Sequence, residues 1–431
     1  MAEKFKTLPG FRDFFPEVCA ERNYVFQAWR EVARRYGFHE YEGPLLEPTD
    51  LYKKKSGDEI VSQLFHFIDK GEREVTLRPE LTPTLARMAA ARQRDYKKPL
   101  RWFSIGRFFR YEKQQRGRLR EFYQWNVDIL GEESPAADAE LVALAIDTMR
   151  ELGFTSDDFC IRLSNRDIWL DFLDVGNVES GMAPDFLQII DKMEREKPEA
   201  TASKLEALGT SRTAVDAFIE ETTRNGHPLL EPVINDLASR GMGDFVRIDL
   251  SIVRGLAYYT GTVFEVFDVA ANMRAVAGGG RYDQLVGMLS GGGADIPASG
   301  FAMGDVVITD FVKTIPQPNS QLLDWIADAG SIDVFVVIAD EDHRNDALGL
   351  VQRLRQSGRR VDFPLQPAKV GKQFQSAEHF KAKAAVVIGS EFPAVKVKNL
   401  RTRDETETDT GGVPGAVAQI LAESTPGPLL A

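Results

Sequence analysis

The chain has 431 residues, more than one hydrophobic core usually serves, so two or more domains are expected. Its two cysteines, Cys19 and Cys160, lie far apart and form neither a disulfide framework nor a zinc-ligand pattern, which fits a reducing cytosol. The formal net charge of -12 argues against broad nucleic-acid affinity, and with no signal core and no apolar run of membrane length a soluble intracellular protein is expected.

Residues 17–36 carry Val18, Tyr24, Val25, Trp29, Val32 and Ala33 at helical spacing and predict a helix that stops at Gly37. Residues 38–46 then read as a strand closing on Pro44. Strands are expected at 74–77, 101–111, 123–130 and 160–163, with helices over 82–92 and 136–152. Strands separated by helices of uneven length predict an antiparallel α+β core. Residues 167–243 turn helical and polar and read as an inserted helical subdomain. Residues 260–269 read as another strand.

Pro316, Pro318 and Asn319 break the periodicity, so 316–331 is expected to link domains. Beyond it, strands at 332–338, 359–363, 384–388 and 395–400 alternate with helices near 344–357 and 369–383. This is the signature of a small, mostly parallel α/β domain over 332–423, followed by a loose tail at 424–431.

Three stretches carry chemistry. In the first, Arg110 and Glu112 can share a strand face, and so can Gln124, Asn126 and Asp128 after the basic loop Lys113, Arg116, Arg118 and Arg120. An arginine there suits a phosphate, because its planar fork donates two hydrogen bonds at once. In the second, Leu77-Arg78-Pro79-Glu80-Leu81-Thr82 offers a carboxylate and a hydroxyl at a strand-to-helix turn, where Thr82 equally suits capping the helix. The third joins Arg254-Gly255-Leu256-Ala257-Tyr258-Tyr259 to the strand ending near Glu265 and to Gly278-Gly279-Gly280-Arg281-Tyr282, where glycines let backbone approach a ligand closely. No phosphate-binding P-loop and no dinucleotide fingerprint is present, and no metal-ligand cluster is expected.

Together these stretches resemble the class II aminoacyl-tRNA synthetases and, within them, the histidyl-tRNA synthetase family. The Pro44 strand resembles the dimer-forming motif 1. Phe109-Arg110-Tyr111-Glu112 with Phe122-Tyr123-Gln124 resembles motif 2, and Ser299-Gly300-Phe301-Ala302-Met303-Gly304 the start of motif 3. Arg254 to Tyr259 is similar to the histidyl-specific Arg-Gly-Leu-Asp-Tyr-Tyr. The resemblance covers nearly the whole chain, the terminal domain matching an anticodon-binding module.

The resemblance implies a cytoplasmic homodimer that activates L-histidine with ATP and Mg²⁺ and transfers it to tRNA(His). It makes Arg110 and Arg254 catalytic, with Arg110 on the α-phosphate and Glu112 either contacting ATP or orienting Arg110. It places Glu80, Thr82, Gln124, Asp128, Tyr258 and Tyr259 around histidine, Lys113, Arg116, Arg118 and Arg120 on the tRNA acceptor end, and Arg353, Arg355, Arg359, Lys369 and Lys372 near the anticodon.

Three departures stand out. Motif 3 should close with an acidic residue and an arginine for the γ-phosphate, but Gly304 is followed by Asp305-Val306-Val307-Ile308; the alternatives are that Arg281 or another basic side chain replaces it, or that ATP binds in a modified way. Ala257 replaces an aspartate, and Asp128 stands where many relatives carry glutamate. The alternative is a non-catalytic histidine sensor such as the regulatory subunit of ATP phosphoribosyltransferase, which generally lacks the anticodon module.

Overall fold

The computed structural model describes residues 5–53, 61–112, 118–176, 180–254, 258–270 and 273–423. Lys113, Arg116, Ala257 and the tail at 424–431 lie outside the described residues. Two compact units form, Met1–Phe15 with Glu21–Leu322 and Pro16–Ala20 with Leu323–Ala431.

The first unit is built on eleven strands: β1 His39–Glu40, β2 Leu46–Pro48, β3 Phe65–Ile68, β4 Glu74–Leu77, β5 Leu100–Phe109, β6 Glu121–Leu130, β7 Phe159–Asn165, β8 Val246–Ile248, β9 Thr260–Asp268, β10 Ala277–Arg281 and β11 Ala298–Gly304. Eight of them form one sheet in the order β1-β5-β6-β11-β10-β9-β7-β8, and β2-β4-β3 form a small second sheet. The six central strands pair antiparallel, while β1 on β5 and β8 on β7 are parallel edges. The fold class is therefore α+β on an antiparallel core.

Helix Pro135–Glu151 covers one face of this sheet. Pro135 sits in its first turn, where a missing amide costs nothing, and Gly153 at φ 92 takes the chain out after Leu152. Leu141, Val142, Leu144, Ile146 and Met149 are fully buried, each contributing about 1.5–3 kcal/mol. Helix Pro16–Arg35 adds Trp29, which stacks on Trp125 of β6 at 5.8 Å and donates to Met303 Sδ of β11 at 3.2 Å.

The expected continuous strand over 38–46 is broken. Only His39–Glu40 pairs with β5, and Pro44 has no amide to extend a ladder. The carbonyls of Gly43 and Leu45 instead accept from the Arg78 guanidinium and the Arg78 amide. From Arg166 to Ser239 the described residues hold helices Arg166–Val175, Ala183–Lys192, Pro198–Ala207, Arg212–Asn225 and Glu231–Ser239.

The expected linker at 316–331 is largely a helix, Pro316–Ala329, because both prolines fall in the first turn and leave the later amides free to bond. In the second unit the strands are β12 Val334–Ile338, β13 Val361–Asp362, β14 Ala384–Ile388, β15 Ala394–Asn399 and β16 Glu405–Asp409, ordered β13-β12-β14-β15-β16. Only β13, β12 and β14 are parallel. β14 and β15 are joined too closely for a crossover, so they and β16 pair antiparallel.

Candidate active site

The centre of the large sheet is floored by small residues in register. Asn126 of β6 pairs with Ala302 of β11, Ala302 with Gly278 of β10, and Gly278 with Glu265 of β9. The next row runs Asp128, Gly300, Gly280 and Val263. Alternation puts both rows on one face, so polar side chains stand at the edges of a floor that is nearly bare backbone. A Cβ on Gly300 would run into Asp128, and one on Gly278 into the Arg254 guanidinium.

Over this floor lie two cavities. The smaller, about 60 Å³, is lined by Glu80, Thr82, Asn126, Asp128, Tyr258, Tyr259 and Tyr282 among others. The larger, about 650 Å³, falls in the range of small-molecule sites and is walled by Glu112, Arg118, Phe122, Glu265, Phe267 and Val307 among others. Arg110, Gln124, Arg254, Gly278 and Ala302 line both.

Arg254 holds φ at 56, a left-handed backbone that costs a non-glycine residue on the order of 1 kcal/mol or more. The strain aims its guanidinium into the space above Gly278. There Nη1 donates to Glu265 Oε1 at 2.6 Å, and the group lies 5.5 Å from the Tyr259 ring. Arg110, one residue past β5, donates from Nε to the Pro79 carbonyl at 3.0 Å and stacks over Phe122. Its Nη1 stays 3.9 Å from Glu112, whose other oxygen holds Arg118 at 2.9 Å. Arg110 is thus oriented by contacts that leave its fork aimed at the junction.

In the smaller cavity, the Tyr258 hydroxyl donates to Glu80 Oε2 at 3.0 Å. Thr82 begins helix Thr82–Arg92 without capping it, and its hydroxyl is near enough to Tyr258 to influence that phenol. The Tyr282 hydroxyl donates to Asp128 Oδ1 at 2.5 Å. Burial pushes the Asp128 carboxyl up to about 7, partly offset by that Tyr282 hydrogen bond. This end of the site therefore offers carboxylates and phenols that can match a ring carrying one donor and one acceptor.

The structure brings together Glu80, Thr82, Arg110, Glu112, Gln124, Asp128, Arg254, Tyr258 and Tyr259. Arg281 is a correction. It is buried with its donors committed to Asp138, Asp283 and the carbonyls of Glu132 and Ser134, and it lines neither cavity; it pins β10 to the start of helix Pro135–Glu151. Of the basic loop, Arg118 lines the larger cavity, while Arg120 stacks on Tyr111 and its amide donates to the Gly10 carbonyl. In the second unit Arg353, Arg355, Lys369 and Lys372 are exposed, and Arg355 also bonds the Val361 carbonyl.

Glu265, Tyr282 and Asn126 were not among the expected ligands. Glu265 had a signal, as a charged residue inside the apolar run Val263-Phe264-Glu265-Val266-Phe267. Among the described residues no group of three or more His, Cys, Asp or Glu is arranged to hold a metal ion, and no helix is long and apolar enough to cross a membrane.

The sequence model of the family described as Histidyl-tRNA synthetase matches residues 10–305, and that of the Anticodon binding domain matches 333–423. A histidine–tRNA ligase of Opitutus terrae is 41% identical, over 97% of this chain and 99% of the relative. One of Haloarcula marismortui is 35% identical, over 95% and 97%. A crystal structure of histidyl-tRNA synthetase from Nostoc sp. PCC 7120 superposes with TM-score 0.78 at 24% identity, covering 97% of this chain and 99% of that one, a likeness of fold.

Proposed function

The chain belongs to the histidyl-tRNA synthetase family, and from that premise we propose that it joins L-histidine to ATP as histidyl-adenylate and transfers the histidyl group to the 3′ end of tRNA(His). The observation that carries the reading is the placing of Arg110 and Arg254 where the two cavities meet.

In the first step a histidine carboxylate oxygen attacks the α-phosphorus, and the bond to pyrophosphate breaks. Two anions must meet while charge builds on the phosphoryl oxygens, so cations fixed in advance lower the barrier. Arg254, braced by Glu265, and Arg110, braced by the Pro79 carbonyl, flank that point. Glu80 and Gln124 receive the α-ammonium and orient the carboxylate, while Asp128 and Tyr258 with Tyr259 read the imidazole. A side chain lacking the ring's donor and acceptor would leave these buried groups unpaired, which gives discrimination without editing. In the second step a ribose hydroxyl of the tRNA attacks the acyl carbon and AMP leaves.

Mg²⁺ accompanies the nucleotide in this reading. The wall mixes arginines with carboxylates, and Glu112 and Glu265, which pair with Arg118 and Arg254, are the oxygen donors that would hold a hard cation, with charge neutralisation of the outer phosphates as its contribution. Arg353, Lys369 and Lys372 meet the anticodon. A cytoplasmic homodimer completes the proposal, supported by the exposed Leu45, Leu46, Phe67 and Ile68 around the small sheet. The histidine-sensing alternative is less supported, since the match at 333–423 and the retained Arg110 both exceed what a sensor needs.

The test is ATP–pyrophosphate exchange with histidine and with every other amino acid, run beside Arg254→Ala. Exchange that requires histidine and falls ~10²–10³-fold in the variant supports the proposal; histidine binding without exchange moves the reading to the sensor.

A further inference from the structure

The larger cavity carries arginines beyond the two at the reacting centre, set among Glu112, Glu194, Glu265 and Asp305. Arg110 and Arg254 reach the junction with the smaller cavity, but Arg118, Arg195 and Arg274 line the larger one alone. They come from three separate segments: Arg118 from the turn before β6, Arg195 from the stretch after helix Ala183–Lys192, and Arg274 from the approach to β10. Val306 and Val307, in the stretch where the family resemblance expects an arginine, form part of the same wall and offer no donor.

We propose that Arg274, seconded by Arg195, grips the outer phosphates of the nucleotide in place of the arginine that motif 3 lacks. This rests on the synthetase reading and supplies the phosphate contact that the reading leaves open. Both side chains are exposed and so within reach of a ligand. Arg274 is partly desolvated and feels Arg118 and Arg195 as like charges, with Glu112 opposing them, and its pKa is lowered from the ordinary arginine value. Glu112 offsets only part of the repulsion among these arginines, so a further anion is favoured there, and a triphosphate tail leaving the junction supplies several negative charges. Arg281, the other candidate near this strand, is committed to Asp138 and backbone carbonyls.

The assignment separates binding of the phosphate tail from binding of the nucleoside. Calorimetric titration of the full-length protein with ATP and with AMP reads the difference directly, with Arg274→Ala, Arg274→Lys and the double variant Arg274→Ala/Val307→Arg compared. Arg274→Ala is expected to weaken ATP about 10- to 100-fold, a charge-assisted contact's worth, while AMP and histidine bind as in the parent. The lysine variant retains part of the preference for ATP, and the added arginine at Val307 restores it. ATP binding unchanged in Arg274→Ala, or an equal loss for ATP and AMP, overturns the assignment. Absence of histidine-dependent exchange in the parent would overturn the synthetase reading instead, and the ATP/AMP comparison would still judge Arg274.

Discussion

The Arg254 guanidinium occupies the space that a Cβ on Gly278 would fill. A glycine in the middle of a strand is usually a weakness, and here it is the seat of a cation. Gly278→Ala is expected to displace Arg254 from Glu265 and lower pyrophosphate exchange ~10²-fold or more. Equal exchange in variant and parent would show that Arg254 reaches its place without this vacancy.

Tyr258→Phe removes the hydroxyl that donates to Glu80 at 3.0 Å and leaves a buried carboxylate short of a partner. Histidine affinity should fall ~10-fold or more while ATP affinity stays within about twofold. Titration of each ligand alone separates the two, and a matched fall in both would point to a packing role.

Asp128 gives a pH signature. Its folded carboxyl titrates at about 7, above the ordinary aspartate value of about 3.9, so the folded state binds the extra proton across that interval. Stability therefore declines as pH rises from about 4 to about 7, the charged form being the desolvated and disfavoured one. Asp128→Asn lacks this titration. The melting-temperature gap, variant minus parent, should grow from about pH 5 to about pH 8; a constant gap would mean that Asp128 does not titrate there.

Lys369 and Lys372 sit exposed at the start of helix Val370–His379 in the second unit. Replacing both with alanine should raise KM for tRNA(His) several-fold and leave pyrophosphate exchange at the parent rate, because cations that neutralise RNA phosphates strengthen tRNA binding and take no part in adenylate chemistry. An unchanged KM for tRNA would remove these lysines from the anticodon surface.

Much of this was legible in the chain. Helices Thr82–Arg92 and Pro135–Glu151 and strands β5 and β6 emerge within a residue or two of their expected bounds, because long apolar periodicity decides such elements. Strand β16 was invisible, since Glu405-Thr406-Glu407-Thr408-Asp409 is almost wholly exposed and owes its conformation to pairing with β15 rather than to burial. Residues 41–45 misled in the other direction: they look extended, but Arg78, from a distant segment, claims the carbonyls of Gly43 and Leu45. The site divides along the same line. Arg254, Tyr258 and Tyr259 travel together in sequence, and so do Gln124 and Asp128, whereas the fate of Arg281 depended on Asp138, 143 positions away. The use of Arg274 likewise required the cavity wall to be seen.

The paired rows that floor the site also bear on the entropy of binding. Ala302, Gly278, Gly300 and Gly280 have no side-chain rotamers to freeze, and their backbones are already held in the sheet on both sides. A ligand settling on this floor orders little beyond itself, so the unfavourable entropy of association falls mainly on the ligand and on the arginines that fold over it. Widening any one of these four positions would cost affinity twice: by filling space, and by giving the floor motions that binding must then suppress.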